Sequence, residues 1–291
     1  MNNLQGVWLP IITPFYHGEI DFSSYKKLID YYTEKGITGL IPNGTTGECP
    51  TIEEYELEEL LAKTAEYNNN RLPVYVGLGG NNTRKVIKQL KLIEKYGFEG
   101  ILSVSPYYSR PDQTGIYEHF KAISASTTLK IIIYNIPYRT GRNIENDTLF
   151  KLAELKNIIG VKDSCGNINQ TLELINNKPA NFAVLTGEDV LFYVNLALGG
   201  DGGILAAAHL ETEKFVQIRD LMNRNDHQAA LKIWNTIESF IPLLFKEPNP
   251  APIKYLLARQ GLIKSEELRL PLTTISEQLK AMLNTLPGMT K

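Results

Sequence analysis

Lys130-Ile131-Ile132-Ile133-Tyr134 is the stretch that decides the fold. Successive side chains of a strand point to opposite faces, so three isoleucines in a row require apolar cover on both sides. Strands of this kind belong to parallel sheets covered by helices. Working outward, similar β-rich runs recur at Val7–Ile12, Gly39–Pro42, Pro73–Gly77, Gly100–Val104, Ile158–Lys162, Ala183–Thr186 and Gly202–Leu205. Amphipathic stretches lie between them. Thr51-Ile52-Glu53-Glu54 has the form of a capping box, and Leu57, Leu60, Leu61 and Ala65 follow at helical spacing. Thr83 to Glu94 sets Val86, Leu90 and Ile93 on one side. Eight strand–helix units fill roughly residues 7–222, which predicts a (β/α)8 TIM barrel, a fold of about 250 residues. A doubly wound open sheet shows the same alternation, and the count of units is what favours the barrel. From about Asp226 the strand signal stops; His227–Phe245, Ala251–Gln260 and Thr274–Leu286 read as helices. The expected organisation is a catalytic barrel over 1–224 and a C-terminal helical domain over 225–291.

Composition narrows the partners. The chain has 291 residues, 43% hydrophobic and 21% charged, with a formal charge of -2. That balance is globular and argues against a nucleic-acid or anionic-membrane footprint. Cys49 and Cys165 are too few for a disulfide framework, and four scattered histidines give no zinc spacing, so no metal is expected. Neither a signal peptide nor a stretch of eighteen apolar residues is visible, and the cytoplasm is the expected location.

Barrel active sites lie at the C-terminal ends of the strands. Gly44-Thr45-Thr46-Gly47-Glu48, Ser105-Pro106-Tyr107-Tyr108, Tyr134-Asn135-Ile136-Pro137, Arg139-Thr140-Gly141, Lys162, Thr186-Gly187-Glu188 and Gly202-Gly203-Ile204 stand there. Lys162 ends an apolar strand. A free lysine has a pKa of about 10.4, and desolvation lowers it toward a nucleophilic amine. A solvated strand-end lysine, or a partner for Asp163, is the plainer alternative. The turn with Thr45 and Thr46 offers hydroxyls and backbone N–H groups for a small carboxylate, or is simply a helix-capping turn. Tyr134 can relay protons, and Arg139 can clamp a second carboxylate.

Taken together these segments resemble the dihydrodipicolinate synthase and N-acetylneuraminate lyase superfamily of class I aldolases, over nearly the whole chain. The synthase branch is the nearer, through Arg139-Thr140-Gly141, the segment from Glu247 to Lys254, and Leu268-Arg269-Leu270-Pro271-Leu272. The resemblance implies a lyase that condenses pyruvate with aspartate-4-semialdehyde in lysine and diaminopimelate biosynthesis. It implies an imine on Lys162, a relay of Thr45, Tyr134 and Tyr108, and a pyruvate carboxylate on Thr46. Arg139 would bind the second substrate, and the backbone at Gly187 and Ile204 would line the site. It further implies no cofactor and a homotetramer in which Tyr108 reaches a neighbouring subunit. Asp163-Ser164-Cys165-Gly166 and Leu205-Ala206-Ala207-Ala208-His209 depart from the usual pattern, which leaves an aldolase for a sugar acid, N-acetylneuraminate or 4-hydroxy-2-oxoglutarate as the alternative. A non-catalytic keto-acid-binding barrel is the remote one. Lysine-regulated members carry a glutamate at the position of Lys85, so weak or absent inhibition by lysine is expected.

Overall fold

The computed structural model describes residues 4–286. Residues 1–3 and 287–291, at the outer ends of the two segments expected from sequence, lie outside the described residues. Eight parallel strands alternate with helices: β1 (Gly6–Leu9), β2 (Gly39–Leu40), β3 (Tyr75–Gly77), β4 (Gly100–Val104), β5 (Lys130–Asn135), β6 (Ile158–Asp163), β7 (Ala183–Thr186) and β8 (Gly202–Ile204). The chain divides into two compact units, one of residues 1–6 and 73–204, the other of residues 7–72 and 205–291.

In the first unit the strands run in the order β8-β7-β6-β5-β4-β3. Ile131, Ile132 and Ile133 are all fully buried, as a strand covered on both faces requires. Each such side chain contributes about 1.5–3 kcal/mol by leaving water. The β4–β5 ladder pairs Gly100 with Lys130 through Val104 with Tyr134. A Cβ at Gly100 would stand 2.0 Å from the Lys130 carbonyl oxygen, so that pairing needs glycine. Helices start on side-chain caps. Asn82 Oδ1 accepts from Lys85 N, Asp112 Oδ1 from Gly115 N, and Asn167 Oδ1 from Asn169 N and Gln170 N.

In the second unit β1 and β2 pair through Trp8 with Gly39 and Leu9 with Leu40. The helix Glu54–Asn68 starts two residues later than the capping box read from sequence. Its cap is Glu53, reciprocated by Glu56, because Cys49–Thr51 is taken up in a 3-10 turn. Leu57, Leu60 and Leu61 are buried as expected. A short hairpin, Phe15–Tyr16 with Glu19–Ile20, carries no sequence signal long enough to read. The stretch expected as one helix from His227 to Phe245 is a helix at His227–Trp234 and a 3-10 segment at Ile241–Phe245. Phe215 and Trp234 pack edge to face across the helices Thr212–Asn223 and His227–Trp234, ring centroids 6.5 Å apart.

His209, one of the unusual residues after β8, has a structural task. Its Nε2 accepts the Ile12 N–H at 3.2 Å, so Nδ1 carries the proton and donates to the Ala206 carbonyl at 2.8 Å. Tyr32 donates to the His209 carbonyl and sets its ring edge against the imidazole. Burial pushes the imidazole down to about 4 against the bond to Ala206, so the folded state holds it neutral. Above the unfolded pKa of about 6.5 this stabilisation is complete; it is lost as pH falls toward 4, because the unfolded chain takes up the proton first. Urea unfolding at pH 5 should show on the order of 2 kcal/mol less stability from this group than at pH 7.5. His209→Gln should flatten that slope; an unchanged slope would show that His209 is not held neutral.

Candidate active site

The register of the first unit brings the reactive groups together. Tyr134 on β5 pairs with Lys162 on β6, and Lys162 pairs with Leu185 on β7. Lys162 is 7% exposed, and its Nζ stands 4.3 Å from the centroid of the Tyr134 ring. Burial pushes its pKa down to about 8. The fields of Asp189 and Glu188 resist that shift and the charge of Arg139 assists it. About a quarter of the amine is then neutral at pH 7.5, against roughly one in a thousand for a free lysine. The same burial raises the Tyr134 phenol well above its usual range, so it keeps its proton.

Gly187 follows β7. A Cβ there would lie 2.2 Å from Ser164 Oγ and 2.6 Å from Lys162 Cε, so only glycine leaves the lysine stem its room. Its N–H donates to the Asp163 carbonyl at 2.7 Å, extending the ladder past the strand ends. Glu188 is pushed toward its neutral form by burial, with Asp163 adding to the shift and Ser164, Lys162 and Arg139 opposing it. The Ser164 hydroxyl is buried beside Lys162, close enough to the Tyr134 phenol and the Glu188 carboxyl to oppose the rise in both. Sequence reading took Ser164 only as a departure and gave Glu188 no role, since neither residue type marks a site by itself.

The rest of that departure is structural. Asp163 accepts from Thr171 Oγ1 at 2.6 Å and from Cys165 N at 3.1 Å, which turns the chain into the helix Ile168–Asn177. Burial, with the charge of Asp163, pushes the Cys165 thiol up to about 11, so it is a poor nucleophile at neutral pH.

Arg139 sits exposed on the turn Pro137–Thr140. Its Nε donates to the Tyr138 hydroxyl at 3.2 Å, and its guanidinium lies 5.2 Å from that ring's centroid. Its charge reaches Lys162, Tyr134 and Glu188. Tyr108 does not point into the body of its own chain: it is 91% exposed, on a backbone with φ of 68°. A left-handed backbone is uncommon for a bulky residue and marks a constrained turn. Ile204 ends β8 and is buried.

Thr45 and Thr46 belong to the second unit, in the turn after β2. Gly47 N and Cys49 N donate to the Gly44 carbonyl, and Glu48 N donates to that of Thr45. Thr46 is buried, and its Oγ1 accepts a hydrogen bond from Asn249 Nδ2 at 3.0 Å. Glu48, fully buried at φ of 56°, forms an ion pair with the fully buried Lys254. Asn249 and Lys254 lie in the segment already read as a family feature, but their contacts span some 200 residues of sequence and left no local signal.

The model of the dihydrodipicolinate synthetase family matches residues 3–286. A 4-hydroxy-tetrahydrodipicolinate synthase 2 of Clostridium acetobutylicum is 59% identical over 97% of this chain and 98% of its own length. The structure of the 4-hydroxy-tetrahydrodipicolinate synthase of Methylacidiphilum fumariolicum SolV superposes with a TM-score of 0.95 at 38% identity, covering 98% of this chain and 95% of that one. That of a monomeric dihydrodipicolinate synthase variant superposes equally well at 37% identity, covering 98% and 96%. The chain belongs to the dihydrodipicolinate synthetase family, and its fold is the (β/α)8 barrel with a C-terminal helical extension.

Proposed function

We propose that the chain is a 4-hydroxy-tetrahydrodipicolinate synthase, a class I lyase that condenses pyruvate with L-aspartate-4-semialdehyde in lysine and diaminopimelate biosynthesis. Family membership and the 59% identity to a protein of that name support the reaction. The observation that carries the chemistry is the buried Lys162 amine, with its pKa lowered to about 8, beside a protonated Tyr134.

The steps follow from those two groups. The neutral amine attacks C2 of pyruvate, and loss of water leaves a protonated imine. That cation draws electrons from C3, so a C3 proton departs to give an enamine. The enamine carbon attacks the aldehyde carbon of the semialdehyde, whose oxygen takes up a proton. The product's own amino group then displaces Lys162 from the imine carbon and closes the ring. Because the imine is the electron sink, the scheme needs no metal or organic cofactor. Tyr134, Thr45 and Tyr108 relay the protons; Thr46 and the N–H groups of its turn hold the pyruvate carboxylate. Arg139 takes the carboxylate of the semialdehyde, and the backbone at Gly187 and Ile204 lines the site. Residues 1–224 form the catalytic part and 225–291 the helical extension. A cytoplasmic homotetramer is the proposed setting; no helix among the described residues is long and apolar enough to cross a membrane.

Pyruvate with borohydride should add a reduced pyruvate mass to the peptide holding Lys162. The trapping rate should rise with pH through about 8 and level off above it, whereas an unperturbed lysine would keep rising beyond 10. Lys162→Ala should retain its fold and lose both trapping and most turnover; labelling at another lysine would refute the assignment.

Arg139→Ala should raise the KM for aspartate semialdehyde by about tenfold or more, the usual worth of a charged hydrogen bond, while imine formation survives. Failure of imine formation instead would move Arg139 to the first substrate.

Tyr108, exposed on its own chain, should be covered on assembly. Tyr108→Phe should lower kcat without altering the sedimentation coefficient, and mixing it with Lys162→Ala subunits should change activity. An active wild-type monomer would contradict the shared site.

A further inference from the structure

The turn that carries Thr45 and Thr46 is held by the C-terminal segment of its own unit. Asn249 Nδ2 donates to Thr46 Oγ1 at 3.0 Å, and the amide's other atom, Oδ1, is buried without a hydrogen-bond partner among the described residues. Thr46 is therefore the one group that this amide engages. Two residues on, Glu48 is fastened from the same side: one carboxylate oxygen meets the Lys254 ammonium, and the other accepts Arg269 N at 3.1 Å. Lys254 also donates to the Glu267 carbonyl at 2.9 Å, and its Nζ lies 4.1 Å from the centroid of the Phe15 ring. The Arg269 guanidinium stands 4.3 Å from that centroid and grips Glu56 through two hydrogen bonds. The turn is thus held at Thr46 by Asn249, at the Gly47 carbonyl by the Thr13 hydroxyl at 2.8 Å, and at Glu48 by a buried ion pair.

A hydroxyl has one hydrogen to give and two lone pairs to receive with. Where an amide N–H already occupies a lone pair, the hydrogen is directed to a different acceptor. We propose that Asn249 is a positioning residue that fixes Thr46 as a hydrogen-bond donor to the carboxylate of the 2-oxo acid, with the Glu48–Lys254 pair securing the end of the turn. This rests on the reading that Thr46 holds the pyruvate carboxylate. Asn249 touches no reacting atom; it determines which way the Thr46 hydroxyl faces.

Asn249→Asp tests it, because a carboxylate of the same shape can only accept. It would draw the Thr46 hydrogen to itself and set a negative charge beside the carboxylate site. The pyruvate KM should then rise about tenfold or more. Borohydride trapping at limiting pyruvate should fall by the same factor, while kcat at saturating pyruvate and the semialdehyde KM stay within about twofold. Asn249→Ala, which removes the donor without adding charge, should give a smaller rise in the same constant and covers the case in which the aspartate variant does not fold. Thr46→Val separates the two ideas. If it raises the pyruvate KM while both Asn249 variants keep the wild-type value, the positioning role is overturned and the carboxylate role stands. If it leaves the pyruvate KM unchanged, the carboxylate role fails and the inference fails with it.

Discussion

Keeping an ammonium group out of water is unfavourable, and the chemistry proposed for this protein rests on that penalty at Lys162. Among the described residues two lysines are nearly or fully buried, Lys162 and Lys254. Burial pushes both amines down to about 8, but the Lys254 nitrogen is tied at close range to the Glu48 carboxylate, the Glu267 carbonyl and the face of Phe15. Lys162 has the face of Tyr134, while Asp189 and Glu188 act on it only through their fields. A buried charge with a partner becomes structure, because breaking the pair would leave the partner stranded. A buried amine without one has its nitrogen open to a substrate, and a lysine that gives up its proton there is a nucleophile.

That penalty exists only because β6 is covered. Ile158, Val161 and Lys162 are buried along one strand, and the fully buried isoleucines of β5 lie in the adjacent ladder. The register sets Tyr134 level with Lys162, so the phenol and the amine share one dry environment. Gly187 admits the lysine stem where any Cβ would collide with it. Packing, register and the missing side chain at residue 187 thus act on one quantity, the free energy difference between the charged and neutral amine.

The parts of this arrangement that were legible in sequence are those written locally. The run from Lys130 to Tyr134 announced a doubly covered strand, and a lysine closing the run from Ile158 announced its own desolvation. The helix over Thr83–Glu94 was plain because apolar spacing and a cap coincide there. Boundaries were read less well where local signals compete. Thr51 resembles a cap, yet the 3-10 turn claims it and Glu53 takes the role. The stretch after Trp234 keeps apolar residues at helical intervals but breaks before Ile241, where Pro242 cannot supply an N–H. His209 and Asn249 could not be interpreted at all, because each is explained by a partner about 200 residues away: Ile12 for one and Thr46 for the other. A hydrogen bond of that span has no periodicity and leaves no motif.

One charge at the edge of the site ties its electrostatics to its binding. Burial drives Lys162, Tyr134 and Glu188 toward their neutral forms, which lowers the pKa of the amine and raises those of the two acids. Arg139 lowers all three. At the amine its charge acts with burial; at the phenol and the carboxyl it acts against burial. A guanidinium is suited to this because it keeps its charge in proteins. The cation proposed to receive the semialdehyde carboxylate therefore also favours the neutral form of Lys162, so the two effects move together.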